Sequence, residues 1–130
     1  DYRISNIKSD QIITSVDFKF KYGNIEQIKE KINFIKKHRN DTQPITEKTS
    51  GSTFKNPKNK FAAKLIEEAG CKGMMNGNAS ISKKHANFII NNGNATATEI
   101  EKLGNEVVEK VYKKFSVLLD WEIKIIGDKN

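Results

Sequence analysis

The segment Ser50-Gly51-Ser52-Thr53-Phe54-Lys55-Asn56-Pro57 gathers residue types that handle polar ligands. A glycine between two hydroxyl residues lets backbone approach a ligand closely. Lys55 adds a cation, and Asn56 an amide that both donates and accepts hydrogen bonds. Taken alone this is a polar loop, and a plain turn is the simpler account of it. Other chemistries lack their signatures. There is no G-x-x-x-x-G-K-[ST] phosphate loop, no G-x-G-x-x-G and no Cys/His cluster at metal-ligand spacing. His38 and His85 stand far apart, without a carboxylate at useful spacing, and read as ordinary surface or hydrogen-bonded histidines. Cys71 follows Gly70 with no activating neighbour, so no thiolate nucleophile is expected there.

The polar segment sits in residues 40–60, which hold both prolines and show no stable period. A loop of about twenty residues is longer than a compact domain uses without cause, which makes it the place to look for function. Before it, residues 11–20 alternate, with Ile12, Thr14, Val16, Phe18 and Phe20 on one face, as a strand would. Asn24 and Gln27 have the spacing of a capping box, and Ile25, Ile28, Ile32 and Ile35 make a helical stripe ending near His38-Arg39. After the loop, Phe61, Leu65, Ile66 and Ala69 mark a helix stopped by Gly70. Residues 79–82 and 87–91 read as short strands, with Asn92-Gly93 as a tight turn. Thr98 and Glu101 form a second candidate capping box for a helix carrying Ile100, Leu103, Val107, Val108, Val111, Tyr112 and Phe115. Residues 118–126 read as a closing strand. The fold class is α+β, in one unit of 130 residues with no internal repeat.

Composition narrows the class further. The net charge of +7 comes from 23 basic and 16 acidic residues, and Arg3 and Arg39 are the only arginines. Lysines spread along the chain and alternating with Glu give a solvated surface rather than the arginine-and-aromatic face of a nucleic-acid reader. Phe18, Phe20, Phe34, Phe61 and Phe115 all fall on expected core faces, which leaves no stacking platform for RNA. No apolar run approaches the ~20 residues of a membrane span. The first residues lack the order of a signal peptide, and a lone cysteine fits a reducing compartment. A soluble cytoplasmic chain is expected, without nucleic acid or membrane as partner.

The wording of four segments is more specific than their chemistry. GSTFKNP, AAKLIEEAGCKG, KHANFIINNGNATA and LLDWEIKIIG occur in this order, preceded by Tyr2-Arg3-x-Ser5 and by Arg39-x-x-x-Gln43-Pro44. Together they resemble the C-terminal part of the UDP-N-acetylenolpyruvoylglucosamine reductase family, across essentially the whole chain. The resemblance implies a flavoenzyme that makes UDP-N-acetylmuramate for peptidoglycan, using FAD reduced by NADPH. Hydride goes to the terminal carbon of the enolpyruvyl group and a proton to the adjacent carbon. By resemblance Ser52 donates that proton, a feasible task for a hydroxyl facing a strongly basic carbanion. Arg3 stabilises the charge gathering on the substrate carboxylate, and Glu122 orients the site and the proton path. Arg39 and Asn56 match positions near the nucleotide-sugar diphosphate. Gln43 stands where some relatives carry lysine, and His85 lies in a motif that touches substrate in some members.

The family plan assigns residues 1–40 to the end of the second FAD-binding domain and 41–117 to an α+β substrate domain. Residues 118–130 become a strand returning to the first FAD-binding domain. Family members are more than twice this length, and nothing here resembles their turns for the FAD pyrophosphate. The chain is therefore expected to be a fragment, with its FAD site largely on an N-terminal portion supplied in cis or as a separate chain. Alone it should hold flavin weakly or not at all and be inactive. Two readings compete: a remnant that keeps the substrate-domain fold without activity, and a basic RNA-binding module.

Overall fold

Three short antiparallel strands packed under one long helix make the body of the fold in the computed structural model, which describes residues 5–8 and 10–127. The elements are α1 (Ile25–Thr42), α2 (Ala62–Glu68), β1 (Met75–Asn76), β2 (Ala79–Ile81), β3 (Ile89–Asn91) and α3 (Ala97–Phe115). The α+β class is present as expected.

Strand β2 lies between its two neighbours, with Asn76 opposite Ala79 and Ser80 opposite Ile90. Gly77-Asn78 closes the first hairpin, and Gly77 has a φ of +54°, a region glycine enters without the Cβ clash. After β3 the turn is built by one side chain. Asn91 Oδ1 accepts from the amides of Gly93 (2.9 Å) and Ala95 (3.0 Å).

That turn decides where α3 begins. Two Thr-x-x-Glu boxes overlap in the sequence, and the helix uses the earlier one. Glu99 N donates to Thr96 Oγ1 at 3.2 Å, and Thr96 N donates to Glu99 Oε2 at 2.8 Å. The expected pair, Thr98 and Glu101, therefore lies inside the helix. The reason is the Asn91 turn, which finishes at Ala95 and leaves Thr96 as the first residue free to cap. Leu103, Val107 and Val111 of α3 are wholly buried against Ile81, Ile89, Ala79, Phe54, Ala62, Ile66 and Leu119. Helix α2 starts one residue later than expected, with Phe61 exposed at the cap position, and ends at Glu68, with Gly70 beyond it in the left-handed conformation of a stop as predicted. Cys71 N reaches back to Ile66 O at 3.1 Å, closing the last turn.

The first third of the chain behaves differently. Residues 11–20 form no strand: their alternation is intact, but no described segment pairs with them, and Phe18 and Phe20 are 73% and 82% exposed. A strand needs a neighbour for its N–H and C=O groups and a cover for its apolar face, and neither is present. Helix α1 forms, capped by Asn24 Oδ1, which accepts from Glu26 N (2.9 Å) and Gln27 N (3.1 Å). It continues past His38-Arg39 to Thr42 and stops because Gln43, preceding Pro44, takes the extended conformation that proline imposes (φ −125°, ψ 147°). None of its residues is buried, and among the described residues it packs against no other helix or strand. The expectation that Phe18, Phe20, Phe34 and Phe61 fill a core is overturned: all four are exposed, and the argument against a stacking surface that rested on their burial falls with it. The closing strand expected over 118–126 shrinks to one antiparallel rung, Phe54 opposite Trp121, because only residues 53–55 lie alongside it.

Candidate active site

The long loop is held as a strand at its centre. On one side Thr53 N donates to Asn87 O at 2.8 Å, and Ser52 lies opposite Phe88 in an antiparallel bridge. On the other side Glu122 N donates to Thr53 O and Lys55 N to Asp120 O, both at 2.8 Å. The Asn87 carboxamide completes the seam. Its Oδ1 accepts from Phe54 N at 3.0 Å and its Nδ2 donates to Phe54 O at 2.8 Å. Thr53, Phe54 and Asn87 are buried, and Ser52 beside them is half-buried. Gly51, at φ +90°, turns the chain into this seam with open space where a Cβ would stand. Sequence reasoning predicted a loop that carries function. The seam accounts for how so long a loop can be ordered: its backbone groups are paired from both sides.

Phe54 is anchored from behind. Its ring meets the Trp121 ring with centroids 5.0 Å apart, tilted by 46°. Trp121 in turn occupies the space left by Gly104, a buried glycine of α3. A Cβ there would stand 2.0 Å from the indole. The backbone on either side of Trp121 is thereby set against Thr53 and Lys55, and this places Glu122 next to the Ser52 segment.

The turn leading into Asn87 is also closed by side chains. Ser82 Oγ accepts from the amides of Lys84 (3.1 Å) and His85 (3.3 Å), and His85 Nδ1 accepts from Asn87 N at 3.3 Å. With Nδ1 as acceptor, the ring proton of neutral His85 belongs on Nε2. The His85 ring stands edge-on to Phe88, with centroids 4.7 Å apart. Burial pushes its pKa below the ordinary value, aided by Lys72, while its own backbone hydrogen bond and Glu67 oppose the shift.

Of the residues singled out by sequence, Ser52 and Glu122 are brought together by the seam. Asn56 stands just beyond it, with Oδ1 accepting from Ala62 N at 3.0 Å, so that it serves the start of α2. Arg39 and Gln43 are at the C-terminal end of α1, tied to each other by Gln43 N to Arg39 O at 2.8 Å. Lys84 Nζ donates to Asn40 O at 2.9 Å, which links that end to the His85 turn. Arg3 lies outside the described residues. Asn87 and Gly104 were missed. Their partners are distant in sequence, and no local pattern marks them.

A flavin dinucleotide needs donors for its pyrophosphate, and helix N-termini are the usual source. Here Asn24, Asn56 and Thr96 already occupy the first turns of α1, α2 and α3. The amides these side chains take, Glu26 N, Gln27 N, Ala62 N and Glu99 N, are not offered to a pyrophosphate. No group of three metal-ligating side chains occurs among them, and no helix is long and apolar enough to cross a membrane.

The family model for the C-terminal domain of UDP-N-acetylenolpyruvoylglucosamine reductase matches residues 43–126, the body just described. The chain belongs to this family. Among relatives of that name, the reductase of Rickettsia bellii is 50% identical over 126 residues, covering 97% of this chain and 42% of that protein. The Rickettsia prowazekii reductase is 48% identical, with 97% and 43% covered. The crystal structure of the Thermus caldophilus reductase superposes with a TM-score of 0.65 at 34% identity, covering 80% of this chain and 37% of that one. The chain thus spans about two-fifths of the length of the relatives it matches. The resemblance read from the four motifs is confirmed, and so is the α+β class of the domain that carries them.

Proposed function

We propose that this chain supplies the substrate-side half of a UDP-N-acetylenolpyruvoylglucosamine reductase and that Ser52 delivers the proton completing the reduction. The observation that carries this is the seam. It holds a half-buried hydroxyl at a fixed place on buried backbone, with Glu122 on the adjoining strand. Hydride addition to the terminal enolpyruvyl carbon leaves carbanion character on its neighbour, delocalised into the carboxylate. A positioned hydroxyl quenches it, and the resulting alkoxide recovers a proton from solvent. Arg3 is assigned to the substrate carboxylate and Glu122 to ordering the proton path. Arg39, Gln43 and Asn56 are assigned to the nucleotide-sugar end. FAD, reduced by NADPH, would be held by the part of the longer relatives that this chain does not span, in cis or as a separate chain. A nucleotide-sugar substrate and one free, buried cysteine suit the cytoplasm.

The test joins this chain to the FAD-binding portion of the Rickettsia bellii reductase and follows NADPH oxidation dependent on the enolpyruvyl sugar. Ser52→Ala should lower turnover by about 10²-fold or more, the usual worth of a placed general acid. Unchanged turnover in that variant would remove Ser52 from the role. The chain alone, mixed with FAD and desalted, should emerge colourless. A retained flavin band would show that these residues hold the cofactor themselves.

A further inference from the structure

We infer that Asn87 is a positioning residue for the proton transfer, acting through the Ser52–Phe54 backbone. This rests on the assignment of the proton to Ser52. Asn87 is 4% exposed, and its carboxamide does for Phe54 what a strand's peptide group would do. One end accepts from Phe54 N at 3.0 Å and the other donates to Phe54 O at 2.8 Å. Its own backbone carbonyl takes Thr53 N at 2.8 Å. Three hydrogen bonds from one residue thus fix the two residues that follow Ser52. A buried asparagine with both ends satisfied is rigid, because each lost bond would strand a buried polar group.

Position matters more here than stability. The other seam bonds, Glu122 N to Thr53 O and Lys55 N to Asp120 O, hold the segment from the opposite side, so the body does not depend on Asn87 alone. What Asn87 adds is register. Its side chain accepts from and donates to the same residue, and a shift of the segment by one position would break both bonds at once. A hydroxyl that must meet a short-lived carbanion loses effectiveness with small displacements. Thr53 Oγ1, buried without a hydrogen-bond partner among the described residues, shows that the segment is held here despite a local cost.

The experiment uses the same assembled enzyme and separates its two half-reactions by stopped-flow absorbance. Reduction by NADPH does not involve Ser52, whereas reoxidation by UDP-N-acetylglucosamine enolpyruvate does. Asn87→Asp keeps the acceptor for Phe54 N and replaces the donor to Phe54 O with a repelling oxygen; Asn87→Ala removes both. Each should slow reoxidation by about tenfold or more, leave NADPH reduction unchanged, and leave KM for the sugar within about threefold. The double variants with Ser52→Ala should lose no more than Ser52→Ala alone, as expected for residues acting as one unit. Full reoxidation rates in the Asn87 variants, or multiplied losses in the double variants, would overturn the inference. If Ser52→Ala itself were silent, it would be the Ser52 assignment that failed. Should both Asn87 variants fail to fold, hydrogen exchange on the unaltered chain still decides. The Phe54 amide should exchange at least 10³-fold more slowly than that of the exposed Phe20, and comparable rates would refute the clamp.

Discussion

In residues 44–122 the two helical stripes meet partners: Leu103, Val107 and Val111 of α3 close over β2 and β3, and Leu65 and Ile66 of α2 pack beneath them. In residues 11–42 the stripes are as regular and meet no other element among the described residues. The isoleucines of α1 remain 45% to 68% exposed, and the aromatic face of residues 11–20 lies open. Amphipathic periodicity states which face wants burial; whether burial happens depends on a second surface of matching shape. The family match has the same boundary, since it begins at residue 43 where the buried body begins. A contiguous exposed apolar face of this kind marks an interaction surface.

The largest expected effect tests that contrast directly. Leu103→Ala empties a fully buried site and should cost about 2–5 kcal/mol by urea denaturation. Ile32→Ala, of similar volume change on α1, should stay within about 0.5 kcal/mol. A comparable loss at both positions would mean that α1 is packed in solution, and the comparison would break. Joining the chain to the FAD-binding portion sharpens the same contrast: only there should Ile32→Ala become costly.

A second substitution probes how the body holds its site. Gly104→Ala places a methyl group where the Trp121 ring now lies, and a rigid indole cannot yield as a flexible chain end would. Overpacking should cost about 1–3 kcal/mol, against which the better helix propensity of alanine returns about 1 kcal/mol. Trp121 is the only tryptophan, so its fluorescence reports the displacement without ambiguity. An unchanged emission spectrum and urea midpoint would show that the ring does not sit against α3. In the assembled enzyme the same change should slow turnover, because Trp121 sets the strand that carries Glu122 beside Ser52.

What the sequence disclosed follows the range of the forces involved. Local signals were legible: the Asn24 cap, the Gly70 stop, the turn after β3 and the stripe of α3 all depend on neighbours within a few residues. Where two local signals competed, as with Thr96-Glu99 and Thr98-Glu101, the choice was made by the Asn91 turn upstream. The site itself was legible only as motifs. Ser52 and Glu122 are 70 positions apart, and the residue that ties the Ser52 segment down, Asn87, pairs across 33. Nothing in the local pattern around Asn87 distinguishes a buried clamp from a polar turn residue. The assignment of Phe18, Phe20 and Phe34 to a core failed for the complementary reason: their pattern is real, but the surface it addresses is absent from the described residues.

The smallest predicted effect concerns pH and again separates the two regions. His85 sits in the body, and burial holds its pKa below the usual value of ~6.5. The unfolded chain therefore takes up a proton at higher pH than the folded one. Stability is fully present above ~6.5 and falls as the solution is acidified toward the lower folded value. Protonation also sets a charge beside Lys72 and leaves Nδ1 unable to accept from Asn87 N. His85→Gln should flatten the fall in urea midpoint between pH 7.5 and 5.5, whereas Ile32→Ala on α1 should leave that slope as it is. A slope unaltered by His85→Gln would mean that the ring is solvated in solution, with the turn entering Asn87 looser than its hydrogen bonds imply. The clamp on Phe54 would then have to hold register through the Asn87 side chain alone.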